Sequence, residues 1–330
     1  MKSKHKSKNR NQDRILDELY LREVNDLLVG IPRQRDLLIE YLHRIQDHYH
    51  CISSYHIRAL ASELNISIAE IYEVATFYHH FDVTGENESP PPPLTVRVCE
   101  SLTCEMFGAR NLLAELGNDI PNVRVQAVPC VGRCHSAPVA IVGTHPVEHA
   151  NSALVHEAIS NGQSEICIGE YLEYANYCKE GGYKTLLDCV SGTHKKDEVM
   201  TMLEDSNLRG LGGAGFPLGR KWRILKDQPS PKLIAINIDE GEPGTFKDRV
   251  YLEQDPHRFI EGMLIAAWAI AATGCYIYIR DEYTGCRRAL EKEIQELQAN
   301  PPCELPLIEL RRGAGAYICG EESAMIESIE

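Results

Sequence analysis

Cys99, Cys104, Cys130 and Cys134 are the residues most able to do chemistry in this chain. They fall as C-x4-C, an interval of 25 residues, then C-x3-C. Two close thiol pairs brought together by a fold can wrap four soft ligands around one metal centre, either zinc or an iron–sulfur cluster. Structural zinc knuckles run from C-x2-C to C-x4-C, so the first pair sits at the edge of that range. Four unrelated buried thiols are the remaining alternative. The second pair lies in PCVGRCHSAP, a loop in which Gly132 lets the backbone approach closely and turn its amides toward sulfur. The spacing therefore favours iron–sulfur and one-electron chemistry. His135 adjoins Cys134, but four cysteines already complete a ligand set, so it is read as a neighbour of the centre.

Three glycine-rich segments carry a second kind of chemistry. Arg209–Trp222 reads RGLGGAGFPLGRKW, which combines open backbone with a stacking face at Phe216 and positive charge at Arg220 and Lys221. It is neither a G-x-G-x-x-G fingerprint nor a Walker loop. Asn237–Arg249 reads NIDEGEPGTFKDR and crowds Asp239, Glu240 and Glu242 into one turn, where acids can bind ribose hydroxyls or a cation. Gly313–Glu322 reads GAGAYICGEE and again joins glycines, an aromatic and paired acids. Loops of this kind after successive strands predict one shared cofactor pocket.

The elements that must hold these residues can be read from periodicity. Residues 15–83 predict a helical bundle. Arg33–His48 places Leu37, Leu38, Tyr41, Leu42 and Ile45 on one stripe, and Ser67 with Glu70 predicts a capping box for the last helix. Residues 84–93 hold four consecutive prolines and read as a semi-rigid linker. Residues 94–160 alternate: strand Leu94–Val98, helix Phe107–Leu116, strands Val123–Val128 and Val139–Val142, helix Val147–Ile159. Residues 161–197 lack periodicity and read as a connector. Residues 198–330 read as an α/β nucleotide-binding domain, with strands at Leu233–Asn237, Cys275–Arg280 and Leu307–Leu310, helices at Pro256–Ala272 and Gly285–Ala299, and a helix starting near Glu321.

The bulk numbers narrow the function classes. A net charge of -14 argues against nucleic-acid binding, because phosphates would be repelled. The basic first 14 residues are read as a disordered tail. Phe259–Ala272 is apolar but shorter than the ~18 residues a membrane span needs, and it contains Glu261. With no leader sequence evident, the 12 cysteines point to the cytoplasm, where thiols stay reduced. Cys167, Cys178, Cys189, Cys275, Cys286, Cys303 and Cys319 are scattered and read as structural.

RGLGGAGFPLGRKW, DEGEPGTFKDR and GAGAYICGEES resemble the flavin-binding subunit of NADH dehydrogenases, as in respiratory complex I, NAD-reducing hydrogenases and NAD-dependent formate dehydrogenases. ATFYHHF and the four cysteines resemble the partner iron–sulfur subunit of the same enzymes. The two modules lie here in one chain. PRQRDLLIEYLHRIQDHY, Leu211 and RDEY resemble the fused beta subunit of molybdenum- or tungsten-dependent formate dehydrogenase. The resemblance implies a helical bundle, a thioredoxin-like domain with a [2Fe–2S] cluster on the four cysteines, and an FMN/NADH-binding domain. It places FMN on Gly210, Gly212, Lys221, Asn237, Asp239, Glu240, Tyr317, Gly320 and Glu321. It stacks NADH on Phe216, with Gly213, Lys221, Glu242 and Glu322 nearby. No acid–base residue is implied, because hydride passes directly between cofactor rings.

Two departures accompany the resemblance. Many relatives carry Arg where this chain has Leu211, which removes a positive charge beside the cofactor. The family also continues past the equivalent of Glu330, into the ligands of a [4Fe–4S] cluster that no cysteine motif here replaces. The flavin domain is therefore expected to be incomplete, with weakened FMN binding. The expected activity is that of a diaphorase subunit beside a formate-oxidising molybdopterin subunit. A hydrogenase diaphorase, a complex I module and a non-catalytic [2Fe–2S] protein are the alternatives.

Overall fold

The computed structural model describes residues 17–86, 88–117 and 120–330, so the basic tail expected over 1–14 lies outside the described residues. The N-terminal helices are α1 (residues 17–27), α2 (Leu38–Tyr49), α3 (Ser54–Leu64) and α4 (Ile68–Phe77). The stripe on α2 is buried as its spacing predicts, with Leu38, Tyr41, Leu42 and Ile45 all inside. Ser67 caps α4 by accepting the N–H of Glu70 at 3.1 Å. The reciprocal half of the expected capping box is not made, because the Glu70 carboxylate turns outward to Arg35 Nε at 2.8 Å. Two short strands, β1 (Ile52–Ser53) and β2 (Val83–Thr84), pair in parallel and close the bundle.

After the proline run the chain enters β3 (Leu94–Cys99), then α5 (Leu102–Met106), α6 (Ala109–Leu116), β4 (Val123–Val128), β5 (Ala140–Val142), β6 (His145–Val147) and α7 (Ser152–Ser160). The sheet order is β4-β3-β5-β6, with β3 and β4 parallel and the other two pairings antiparallel. Two expectations are corrected here. The helix expected over Phe107–Leu116 starts only at Ala109, after Gly108 at φ +97°, and Cys104 lies on a separate short helix, α5. Val147 pairs with Ala140 as strand, and the following helix starts only where Asn151 caps it by accepting the N–H of Leu154 at 3.0 Å.

The segment read as a connector contains two helices, α8 (Tyr174–Lys179) and α9 (Lys184–Val190), and leads into α10 (Lys196–Asp205). Helices of six or seven residues do not persist alone. Buried carboxylates hold them from outside: Glu261 accepts the N–H groups of Tyr183 and Leu186, and Glu293 accepts that of Tyr174. The acceptors come from residues far away in sequence, so periodicity does not report them.

The last unit continues with α11 (Leu218–Lys226), β7 (Leu233–Ile238), α12 (Lys247–Leu252), α13 (Pro256–Ile270), β8 (Gly274–Ile279), α14 (Thr284–Ala299), β9 (Leu307–Arg312) and α15 (Glu322–Ile329). Strands β7, β8 and β9 form a parallel sheet in that order. Asp255 caps α13 by accepting the N–H of Arg258, with Pro256 at the first helical position, where its missing N–H costs nothing. Together the three units form a mixed helix and sheet architecture, as expected.

The units share contacts. Tyr278, Ala314, Cys319 and Met325 of the last unit belong to the same apolar cluster as the bundle residues Tyr41, Leu42, Ile71 and Tyr78. Tyr78 and Tyr278 both meet the Ser328 hydroxyl at 2.9 Å. Arg311, on β9, pairs with Asp36 and Glu40 of the bundle at 3.3 Å each. Among the described residues no helix is long and apolar enough to cross a membrane.

Candidate functional site

The four cysteines converge. Cys99 ends β3, Cys104 is on α5, and Cys130 and Cys134 flank the turn after β4. Cys99, Cys104 and Cys130 are almost fully buried, and Cys134 is half-buried. Sulfur meets sulfur within each pair: Cys99 with Cys104, and Cys130 with Cys134 at 3.4 Å. The bond with Cys104 pushes Cys99 up to about 11 and holds Cys104 below the usual thiol value. Contact with Cys99 and burial push Cys130 well up. Backbone amides face the sulfurs, from Gly132 to Cys130 at 3.4 Å and from Gly244 to Cys134 at 3.1 Å.

The four thiols can serve as the soft ligands of one centre. The two N–H donors suit an iron–sulfur cluster, because hydrogen bonds to sulfur set the potential of such a cluster.

Gly132 shows how tightly the cluster loop is placed. It sits at φ +70°, and a Cβ there would come 2.4 Å from the hydroxyl of buried Tyr283. That hydroxyl donates to Glu240 Oε2 at 2.9 Å. Arg280 donates to the carbonyls of both Glu240 and Cys130, and Arg249 Nε donates to the carbonyl of Gly132 at 3.0 Å. The acidic loop after β7 is thereby tied to the cysteine loop after β4. RDEY and FKDR are visible in the sequence, but their reach across more than 100 residues to the cysteines is not.

The acidic loop and the third glycine segment also meet, at the C-terminal ends of β7 and β9. Asn237 Nδ2 donates to the Gly320 carbonyl at 2.8 Å, and Asn237 Oδ1 accepts the N–H of Asp239 at 3.0 Å. A Cβ on Gly320 would stand 3.1 Å from the Asp239 carbonyl, and one on Gly241 3.0 Å from the Tyr317 ring. Tyr317 is exposed, and its hydroxyl points to Glu242 at 3.4 Å. Burial pushes the Asp239 carboxyl up to about 7 despite the opposing charge of Arg280. Asp239 can therefore donate or accept near neutral pH.

Two of the acids are already engaged. Glu240 is buried and accepts the N–H groups of Asp248 and Arg249 at the start of α12, with Lys247 at 3.3 Å. Glu321 accepts the N–H groups of Ser323 and Ala324 and caps α15. Both carboxylates hold loops in place. Glu322 and Glu242 are exposed.

The first glycine segment is held by contacts of its own. It closes on itself through Gly210 N–H to the Phe216 carbonyl at 3.0 Å and Arg209 Nη1 to the Gly215 carbonyl at 3.0 Å. Gly219 anchors it, because a Cβ there would meet the Met200 carbonyl of α10 at 2.7 Å. A Cβ on Gly212 or Gly213 would meet nothing within 4 Å. Phe216 is exposed beside Arg220, and Leu211 and Lys221 are exposed too. Open glycine backbone and an uncovered ring fit a planar ligand laid over the loop.

Comparisons with known proteins find two matched regions. Residues 203–330 match the Nuo51 FMN-binding domain, and residues 24–163 match the thioredoxin-like [2Fe–2S] ferredoxin. The chain is similar to an NADH-quinone oxidoreductase chain of Rhizobium meliloti, with 46% identity covering 47% of this chain and 39% of that protein. It is also similar to the alpha subunit of the NAD-reducing hydrogenase of Cupriavidus necator, with 31% identity covering 93% of this chain and 57% of that one. A crystal structure of NAD+-reducing [NiFe]-hydrogenase in the air-oxidised state superposes with a TM-score of 0.73 at 27% identity, over 92% of this chain and 55% of that one. The chain thus spans less than two thirds of the length of each of these relatives. It carries a thioredoxin-like [2Fe–2S] domain and a Nuo51 FMN-binding domain.

Proposed function

We propose that this chain is the NADH-oxidising electron-transfer module of a larger oxidoreductase. The observation that carries the reading is the Gly244 N–H donated to Cys134 Sγ at 3.1 Å, which brings the acidic loop of the FMN-binding domain onto a cluster ligand. FMN bound here would supply hydride acceptance from NADH with release of electrons singly, and a [2Fe–2S] cluster on the four cysteines would supply one-electron transfer. The protein's own part is alignment and insulation. Phe216 offers a face for a nicotinamide or flavin ring, and Gly210, Gly212 and Gly213 let it approach. Asn237, Asp239, Tyr317 and Gly320 line the flavin side, framed by Glu240 and Glu321. Lys221 offers charge to reduced flavin or phosphate, and Glu242 and Glu322 face the NADH side. The four cysteines hold the cluster.

The test is anaerobic assembly with iron, sulfide and FMN, followed by electron paramagnetic resonance. NADH should generate a reduced [2Fe–2S] signal and support ferricyanide reduction. A colourless protein that retains only zinc would overturn the reading.

For the partner, we propose a formate-oxidising molybdopterin subunit in the cytoplasm. Leu211, RDEY and the α2 string PRQRDLLIEYLHRIQDHY support this choice. A hydrogenase partner is the second reading, supported by the match to the hydrogenase alpha subunit over 93% of the chain. Affinity purification from the source cells separates them: formate-dependent NAD reduction in the eluate supports the first, and hydrogen-dependent reduction the second.

A further inference from the structure

Three ionisable residues that play no part in the electron route meet where the helical bundle docks on the β7-β8-β9 sheet. His43 comes from α2, His80 from the turn after α4, and Asp281 from the residues just past β8. A ring nitrogen of each histidine and a carboxylate oxygen of Asp281 all lie within 4.8 Å of one another.

Each side chain is held in a way that suits a metal ligand. His43 is buried, and its Nε2 lies 3.0 Å from the Gly313 carbonyl, which fixes Nε2 as the N–H donor. Its Nδ1 then carries a bare lone pair, and that atom is buried with no hydrogen-bond partner. An unpartnered buried acceptor costs about 1–3 kcal/mol, so the fold tolerates it only for a reason. A metal-bound histidine characteristically donates its other N–H to a backbone carbonyl. Asp281 presents Oδ2 to His80 Nδ1 at 2.8 Å, while Arg312 Nε holds Oδ1 at 2.6 Å. A ligating carboxylate is likewise steadied through its second oxygen.

His80 and Asp281 also line a cavity of about 510 Å³ between the bundle and the two following units. The cavity offers an entry path and room for a water as a further ligand. Charge does not forbid a cation. Arg312 is shared between Asp281 and Asp47, the latter at 2.5 Å, so two carboxylates face one guanidinium.

We propose that His43, His80 and Asp281 bind a divalent first-row transition ion, with cobalt(II) as the probe, and so pin the helical bundle to the flavin-binding domain. The set of two imidazoles and one carboxylate suits such ions, and a water completes four-coordination. Binding moves the single ring proton of His80 from Nδ1, where it faces Asp281 Oδ2, to Nε2 by way of solvent, so no net proton is released. The Arg312 Nη2 contact to His80 Nε2, at 3.4 Å, then gives way as that nitrogen becomes the N–H. The site lies beside Arg280, whose guanidinium bridges the cluster and flavin loops, so its occupation stiffens that seam.

The experiment uses the full chain with its cluster already assembled, so that the four cysteines are occupied. Cobalt(II) is titrated in and followed by visible absorption. One ion per chain should bind with tetrahedral ligand-field bands and no thiolate charge-transfer band. His43→Ala and Asp281→Asn should each weaken binding by roughly 10-fold or more. His79→Ala, a cavity residue outside the set, should leave it unchanged. Equal affinity in wild type and both variants would overturn the proposal. Should the variants lose their cluster or their helical circular dichroism, cobalt-edge X-ray absorption of the wild-type protein decides. Two imidazoles with oxygen ligands support the site, and sulfur ligation or no retained cobalt refutes it.

Discussion

Gly132→Ala should loosen the cluster loop from the flavin domain, and the structure sets the size of the effect. The residue sits at φ +70°, where an alanine costs about 1–2 kcal/mol in backbone strain. Its Cβ would also stand 2.4 Å from Oη, 2.5 Å from Cε1 and 2.8 Å from Cζ of Tyr283. Tyr283 cannot swing aside, because it is 2% exposed and its hydroxyl is bonded to Glu240. Forcing a methyl into such a site costs about 1–3 kcal/mol. The total is roughly 2–5 kcal/mol.

The two contributions can be separated by a double-mutant cycle with Tyr283→Ala. Removing the ring removes the overlap but not the backbone strain, so the cycle should return a coupling of about 1–3 kcal/mol. The assay is anaerobic urea unfolding followed through cluster absorbance. A Gly132→Ala protein within ~0.5 kcal/mol of wild type, or an equal loss in both backgrounds, would refute the reasoning.

Asp239→Asn should stabilise the flavin-free chain at pH 8 and have little effect near pH 4. Burial raises the native carboxyl from 3.8 to about 7, so native stability is fully present below pH 4 and falls as pH rises through 7. Relief of that loss is worth at most ~4 kcal/mol, read as the pH dependence of chemical unfolding. His56 works in the opposite direction. Its Nδ1 accepts the Ser53 N–H at 3.1 Å, and burial lowers it from 6.5 to about 4. Bundle stability is therefore full above pH 6.5 and should fall by up to ~3 kcal/mol as pH drops to 4, a loss visible by circular dichroism and absent if His56 already titrates normally. Ser67→Ala should cost about 1 kcal/mol through the lost cap of α4. Glu70→Ala should cost less than ~0.5 kcal/mol, because Glu70 serves only an exposed ion pair with Arg35. Equal losses in thermal melts of the two would show that the full capping box forms after all.

The order of residues alone accounts for the parts of this protein that rest on local rules. Alternation of apolar residues marks β3, short apolar runs mark β7 and β8, and helical spacing marks α2, α13 and α14, because the pattern of burial selects each of these signals. Ser67 is legible as a cap because its partner is three residues away. The four cysteines are legible as a ligand set because each pair is close in sequence. Their spacing left zinc and iron–sulfur open, and the backbone N–H groups that face the sulfurs come only from the folded loops.

The remainder came from the three-dimensional path of the chain, where an interaction joins residues with no spacing rule between them. α8 and α9 exist because Glu261 and Glu293 reach them from distant helices. Glu240 looks in sequence like one acid among three, yet its buried carboxylate organises the start of α12 and holds Tyr283 beneath Gly132. The three glycine segments read alike, but the fold joins the second and third and sets the first on α10. His43, His80 and Asp281 lie in three separate strings with no ligand spacing between them, and they meet only because the bundle packs against the end of β8. A charged or polar side chain finds its partner through the path of the backbone, which local pattern does not encode.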